Sequence, residues 1–172
     1  MVYFVRHGKT DCNDKNIIQG RLDAPLNDEG IKEAKECAEK LKDVNFDVIY
    51  SSPLIRAKRT AEIINEFHNV PLICDERLFE QDAGEATGLS YDEVTKEMYD
   101  EFIKAPHVFK AESELDLFNR VQDFYNSLVK NNDKNILIVA HRGNYRQLYL
   151  CINNLPQDTK TEPIGNCEIK VF

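Results

Sequence analysis

Two histidines near opposite ends of the chain each follow a short apolar run. Val2-Tyr3-Phe4-Val5 leads into Arg6-His7-Gly8, and Ile136-Leu137-Ile138-Val139-Ala140 leads into His141-Arg142-Gly143. Such runs read as buried strands, and in open α/β sheets ligands bind beyond the carboxyl ends of the strands. A cation, an imidazole and a glycine in succession at a strand end suit an anion. Arginine offers a planar fork of donors, histidine serves as base or nucleophile, and glycine lets backbone come close. Three residues alone say little; the repeat of the design at a second strand is what core packing does not explain. A third cation, Arg56, lies one turn into a helix predicted to start at Ser52, with Ser52 as cap and Pro53 in the first position. From there it points past the strand ends, toward the positive end of the helix dipole. Arg59, one turn on, reads as a surface arginine.

The elements that must position these residues alternate. After the first strand an irregular segment runs to about Asn27, and a long polar loop after such a strand is more often functional than idle. Asp28–Lys42 places Ile31, Ala34, Cys37/Ala38 and Leu41 at helical spacing behind an Asn27 cap. Asp47–Tyr50 is a short strand, the helix from Ser52 runs to about Phe67, and Val70–Cys74 is a third strand. This β-α-β-α-β order implies parallel strands with right-handed crossovers. The acidic loop Glu80–Gly88 follows, then a helix over Ser90–Ile103 opened by the capping box Ser90/Glu93. Glu114–Lys130 carries Leu117, Val121, Phe124/Tyr125 and Leu128 on one face. Strand 136–140, a helix from about Asn144 to Ile152 and a strand over Cys167–Phe172 complete the chain. The expected fold is one α/β domain over residues 1–172: a three-layer α/β/α sandwich with a mostly parallel central sheet and a small helical cap at about 89–130.

Composition narrows the function. The chain has 172 residues, 42% hydrophobic and 30% charged, an ordinary globular balance. A net charge of −8 and a pI near 5.1 argue against nucleic acid or an anionic membrane as partner. An anionic substrate would have to be collected by local arginines. No apolar run reaches the ~20 residues of a membrane span, and no signal peptide is recognisable. The five cysteines (Cys12, Cys37, Cys74, Cys151, Cys167) form no C-x-x-C, so free, mostly buried thiols in a reducing cytoplasm are expected. No H-E-x-x-H, paired-aspartate metal motif or Gly-rich nucleotide loop occurs; neither metal nor cofactor is expected.

Taken together, the motifs resemble the histidine phosphatase superfamily, which includes phosphoglycerate mutases and many small phosphatases. Arg6-His7-Gly8-Lys9-Thr10 with Asn13 is followed by Gln19-Gly20, Asp23-x-Pro25-Leu26 and Ser52-Pro53-Leu54-x-Arg56-Ala57-x-x-Thr60-Ala61. Arg77-Leu78-x-Glu80 with Gly84-Glu85 and Gly88 resembles that family's acid loop, and Val139-Ala140-His141 with Arg146 its second histidine. Ala105-Pro106-His107 and Glu112-Ser113 with Arg120 resemble its branch of small, broad-specificity phosphatases.

The resemblance implies a metal-independent phosphatase of the histidine acid phosphatase type, acting on small phosphorylated substrates. His7 is then the nucleophile that accepts the phosphoryl group. Arg6, Asn13, Arg56 and His141 surround that group, Gln19 and Gly20 belong to the substrate side, and Glu80 protonates the leaving oxygen. Asp82 and Glu85 lie in the same loop and remain alternative acids. The pattern departs at Arg142, where glycine is usual; it is either a substrate-side cation for a second anionic group or a solvent-facing arginine. Cys12 stands where an aromatic is usual, and no aromatic precedes Glu85. His68 reads as a helix C-terminal histidine complementing the dipole, His107 as a loop histidine, Lys9 as exposed and Thr10 as loop support. Three rival functions stay open: a mutase, a non-catalytic phospho-ligand or phosphoprotein-binding module, and a phosphohistidine-protein or phosphopeptide phosphatase.

Overall fold

The computed structural model describes residues 1–129 and 134–172. Among the described residues five strands form one sheet: β1 (Val2–Arg6), β2 (Val48–Ser51), β3 (Leu72–Cys74), β4 (Ile136–Ala140) and β5 (Ile169–Val171), in the order β3-β2-β4-β1-β5. The first four run parallel and β5 pairs antiparallel on the edge beside β1. β4 is buried along its whole length, as an apolar run without alternation requires in a sheet covered on both faces.

Helices cover both faces. α2 (Asp28–Leu41) and α3 (Ile55–Asn65) lie on one side, where Ala34, Cys37, Leu41, Ala61 and Ile64 meet Val5, Ile49, Leu137 and Val139. α5 (Glu114–Val129) and α6 (Arg142–Ile152) lie on the other, where Leu117, Val121, Phe124, Leu128 and Leu148 meet Phe4, Ile136 and Ile138. The alternating side chains of β4 thus feed two separate cores. Chain order sends the connection after β1 to the first face and that after β4 to the second. The adjacent ends of β1 and β4 are therefore the topological switch point, where such sheets open a crevice. Among the described residues, no helix is long and apolar enough to cross a membrane.

Several expectations shift. A short helix, α1 (Asp11–Asp14), capped by Thr10, interrupts the loop expected to be irregular. α3 starts at Ile55 rather than at Ser52, with Leu54 at its N-cap, and the first helical N–H, of Ile55, donates to Asp23 Oδ1 at 2.7 Å. Ser90 and Glu93 do bond to one another, yet only as a turn. The helix, α4 (Lys96–Lys104), begins after its own cap, Thr95. Of the segment 89–130 expected as a cap, α4 and the 3-10 turn Pro106–Phe109 pack on one another, whereas α5 belongs to a main layer. Lys130, predicted to end α5, lies outside the described residues. The thiols expected to be mostly buried are not: Cys37 alone is buried, its thiol pushed up to about 12, while Cys12, Cys151 and Cys167 are half-buried and Cys74 is exposed on edge strand β3. His68 packs edge-on against Phe46 at 4.9 Å, and its partial burial lowers its pKa.

Candidate active site

Strand register brings the two histidines together. Arg6 pairs with Ala140 and Ser51 with Val139, so His7, His141 and Ser52 leave the sheet side by side. The imidazole rings stand 5.1 Å apart at 60°, with 3% and 0% of their surface exposed.

The bonds around His7 assign its tautomer. Nδ1 lies 2.8 Å from the carbonyl of Gly8, which can only accept, so Nδ1 carries the proton. Nε2 keeps its lone pair, and Arg56 Nε donates to it at 3.3 Å. Burial, with Arg56 and Arg6 alongside, pushes the His7 pKa well below the usual 6.5, so the ring is a neutral base at ordinary pH. Gly8 packs tightly against its own fold. Its N–H donates to Thr60 Oγ1 at 3.1 Å, and a Cβ on it would lie 2.5 Å from the Gly30 carbonyl of α2.

The environment of His141 depends on Ser52. Ser52 Oγ accepts the Leu54 N–H at 3.3 Å and lies 2.8 Å from His141 Nε2. His141 caps α6, with Asn144 Oδ1 accepting the His141 N–H at 3.3 Å. Burial, then the charge of Arg56, lowers the His141 pKa well below 6.5. Ser52 was expected to cap a helix; its position in the motif was legible, its partner was not.

Arg56 is 1% exposed and is held by backbone, not by a carboxylate. Nη1 donates to the Leu22 carbonyl at 2.7 Å and Nη2 to that of Gly20 at 2.9 Å. A buried guanidinium with no bonded counter-ion is costly unless an anion joins it. Burial lowers the pKa values of Arg6 and Arg56, and the nearby Glu80 charge offsets part of that in each. Arg6 donates from Nη1 to the Ile164 carbonyl at 2.9 Å, while its buried Nε has no partner among the described residues. Asn13 Oδ1 accepts from Thr10 N–H and Oγ1 at 3.1 Å, and Thr10 Oγ1 also reaches Gln19 Oε1 at 2.9 Å, so Thr10 does support this loop. Arg59 pairs with Glu62 at the surface.

A cavity of about 930 Å³ opens over His7, which borders it, whereas the fully buried His141 behind it does not. Arg6, His7, Asn13, Gln19, Gly20, Arg56, Glu80 and Arg142 all border it. Of the three candidate acids, only Glu80 does. Asp82 Oδ1 accepts from Gly84 N–H at 2.8 Å, and Glu85 pairs with Lys110 at 2.7 Å. Gly143, first met as part of a strand-end motif, is where the chain passes Glu80: a Cβ there would lie 2.5 Å from Glu80 Oε1. Arg142 is exposed, and its charge lowers the pKa of Arg6. His107 is exposed and does not border the cavity. Asn166, absent from the sequence reading, donates from Nδ2 to the His7 carbonyl at 2.8 Å. Nothing in its local sequence distinguishes it.

Residues 2–172 match the family model described as histidine phosphatase superfamily (branch 1). The uncharacterized phosphatase PhoE of Bacillus subtilis (strain 168) is 41% identical over 144 residues, spanning 81% of this chain and 70% of that protein. Phosphoserine phosphatase 1 of Hydrogenobacter thermophilus is 33% identical over 155 residues, covering 86% and 74%. Among solved structures, a mycobacterial glucosyl-3-phosphoglycerate phosphatase superposes with a TM-score of 0.89 at 27% identity, covering 98% of this chain and 88% of the other.

Proposed function

The chain belongs to the histidine phosphatase superfamily, and on that premise we propose a metal-independent phosphomonoesterase, a phosphoric monoester hydrolase of the histidine acid phosphatase type, whose nucleophile is His7. The observation that carries this reading is the pair of neutral, buried imidazoles in contact beside Arg56, a buried cation with no bonded counter-ion among the described residues. The substrate is a small phosphate ester; the names of the relatives put phosphoserine and phosphoglycerate-type esters first among those to try.

The phosphate settles among Arg56, Arg6, Asn13 and His141, which hold its oxygens while charge redistributes. His7 Nε2 attacks phosphorus as the ester P–O bond breaks, and the leaving oxygen takes the Glu80 proton. Because Nδ1 of His7 already donates to the Gly8 carbonyl, the imidazole that becomes cationic in the phosphoenzyme stays anchored. Water then attacks the phosphohistidine and returns a proton to Glu80, the P–N bond breaks, and inorganic phosphate leaves. Gln19 and Gly20 act through the loop that holds Thr10 and Arg56. The whole chain works as one domain, with the segment around α4 as the cap over the cavity.

The test is incubation with ³²P-labelled phosphoserine or 3-phosphoglycerate and an alkaline quench, which preserves phosphohistidine. Label is expected on the wild-type protein and not on His7→Ala, with free phosphate as product. A wild-type protein that never takes up label would overturn the reading in favour of a binding module. 2-Phosphoglycerate formed from 3-phosphoglycerate faster than free phosphate would make it a mutase.

A further inference from the structure

Arg120 and Glu112 stand outside the cavity, yet their polar atoms converge on the segment that bears Glu80. Arg120, on α5, grips Glu112 in a two-pronged pair, Nε to Oε1 at 2.6 Å and Nη2 to Oε2 at 2.8 Å. The same guanidinium donates from Nη1 to the Arg77 carbonyl at 2.6 Å and from Nη2 to the Glu80 carbonyl at 3.1 Å. Glu112 takes hold of the next two residues. Its Oε2 accepts the Asp82 N–H at 3.2 Å, its own N–H donates to the Asp82 carbonyl at 2.9 Å, and its carbonyl accepts from Gln81 Nε2 at 2.9 Å. Residues 77–82 contain no helix or strand beyond one 3-10 turn, Glu76–Leu78, so these bonds replace the ladder that would otherwise hold them. The pair is nearly sealed, with side chains 17% and 11% exposed.

We propose that the Arg120–Glu112 pair is the positioning device of the proton donor: it fixes the backbone of Glu80 so that its carboxyl meets the leaving-group oxygen. This rests on the reading of Glu80 as the acid. A core salt bridge serving stability alone has no need to bond the carbonyl of that residue and both backbone groups of Asp82. Arginine is required because one planar fork must satisfy a carboxylate and two carbonyls at once; a lysine ammonium cannot reproduce that geometry.

The experiment compares kcat/KM for wild type, Arg120→Lys and Glu80→Gln over phosphate esters of falling leaving-group basicity, from phosphoserine through phenyl and p-nitrophenyl to 2,4-dinitrophenyl phosphate. Displacing an acid matters when the leaving oxygen needs a proton and hardly at all when it does not. Arg120→Lys should lose roughly 10- to 100-fold on phosphoserine and little on the dinitrophenyl ester, the same pattern as Glu80→Gln. If Arg120→Lys does not fold by circular dichroism, Glu112→Gln, which keeps the volume and breaks one prong, is read in its place. Equal losses across the series, with Glu80→Gln still leaving-group dependent, would overturn the inference alone. A Glu80→Gln variant with no leaving-group dependence would instead overturn the acid assignment beneath it.

Discussion

Acidification should unfold this protein through its two buried imidazoles. His7 and His141 are 3% and 0% exposed, and burial beside Arg56 and Arg6 holds both pKa values well below 6.5. In the unfolded chain both return to about 6.5, so below that pH the unfolded state binds two protons that the native state refuses. Stability is therefore complete above the unfolded value and declines as pH falls from there toward the folded values. Each ring removes about 1.4 kcal/mol per pH unit over that window. At about pH 5.5 the pair together removes about 3 kcal/mol, equivalent to roughly 6–11 °C in Tm for a chain of this size. The assay is urea and thermal unfolding at about pH 7.5 and about pH 5.5 of wild type, His7→Asn, His141→Asn and the double variant. Buffers must lack phosphate, which would bind the native site. Carboxylates and the other two histidines are common to all four proteins and cancel in the comparison. Each single variant should lose about half of the histidine increment, and the double variant nearly all of it. A double variant that weakens with acid as steeply as wild type would refute the reasoning.

Two further outcomes follow from the site. A methyl at Gly143 meets the Glu80 carboxylate at 2.5 Å, and Leu117 Cδ2 only at 3.2 Å. The flexible carboxylate should therefore yield by about 1 Å, and Gly143→Ala should hydrolyse phosphoserine about 100-fold more slowly with its unfolding midpoint little changed; unaltered kinetics would remove Glu80 from that place in the reaction. Arg142 is exposed beside the cavity, so Arg142→Gly should lower the preference for bis-anionic over mono-anionic phosphate esters about three- to fivefold, less at high salt. Equal relative rates in the two proteins would leave Arg142 a solvent-facing arginine.

The amino-acid sequence by itself determined the alternation of elements and the residue types at the strand ends. Those signals are local: an apolar run for β4, helical spacing with an Asn27 cap for α2, and Arg6-His7 or Ala140-His141 where a strand stops. Even the meeting of the two histidines was legible, because parallel pairing places the ends of buried strands together. Tertiary structure decided the rest. Ser52 was free to cap a helix until the register of β2 beside β4 set its hydroxyl against His141. Glu80, Asp82 and Glu85 are equivalent carboxylates along the chain; Gly84, Lys110 and the passage of Gly143 separate one from the others. Arg120 has its partners on a distant loop, and Asn166 reaches back to His7 from near the other end of the sequence. Hydrogen-bond direction depends on how far two packed elements have turned toward one another. That rotation is set by the two cores on either side of β4, whose contacts no short window of sequence contains.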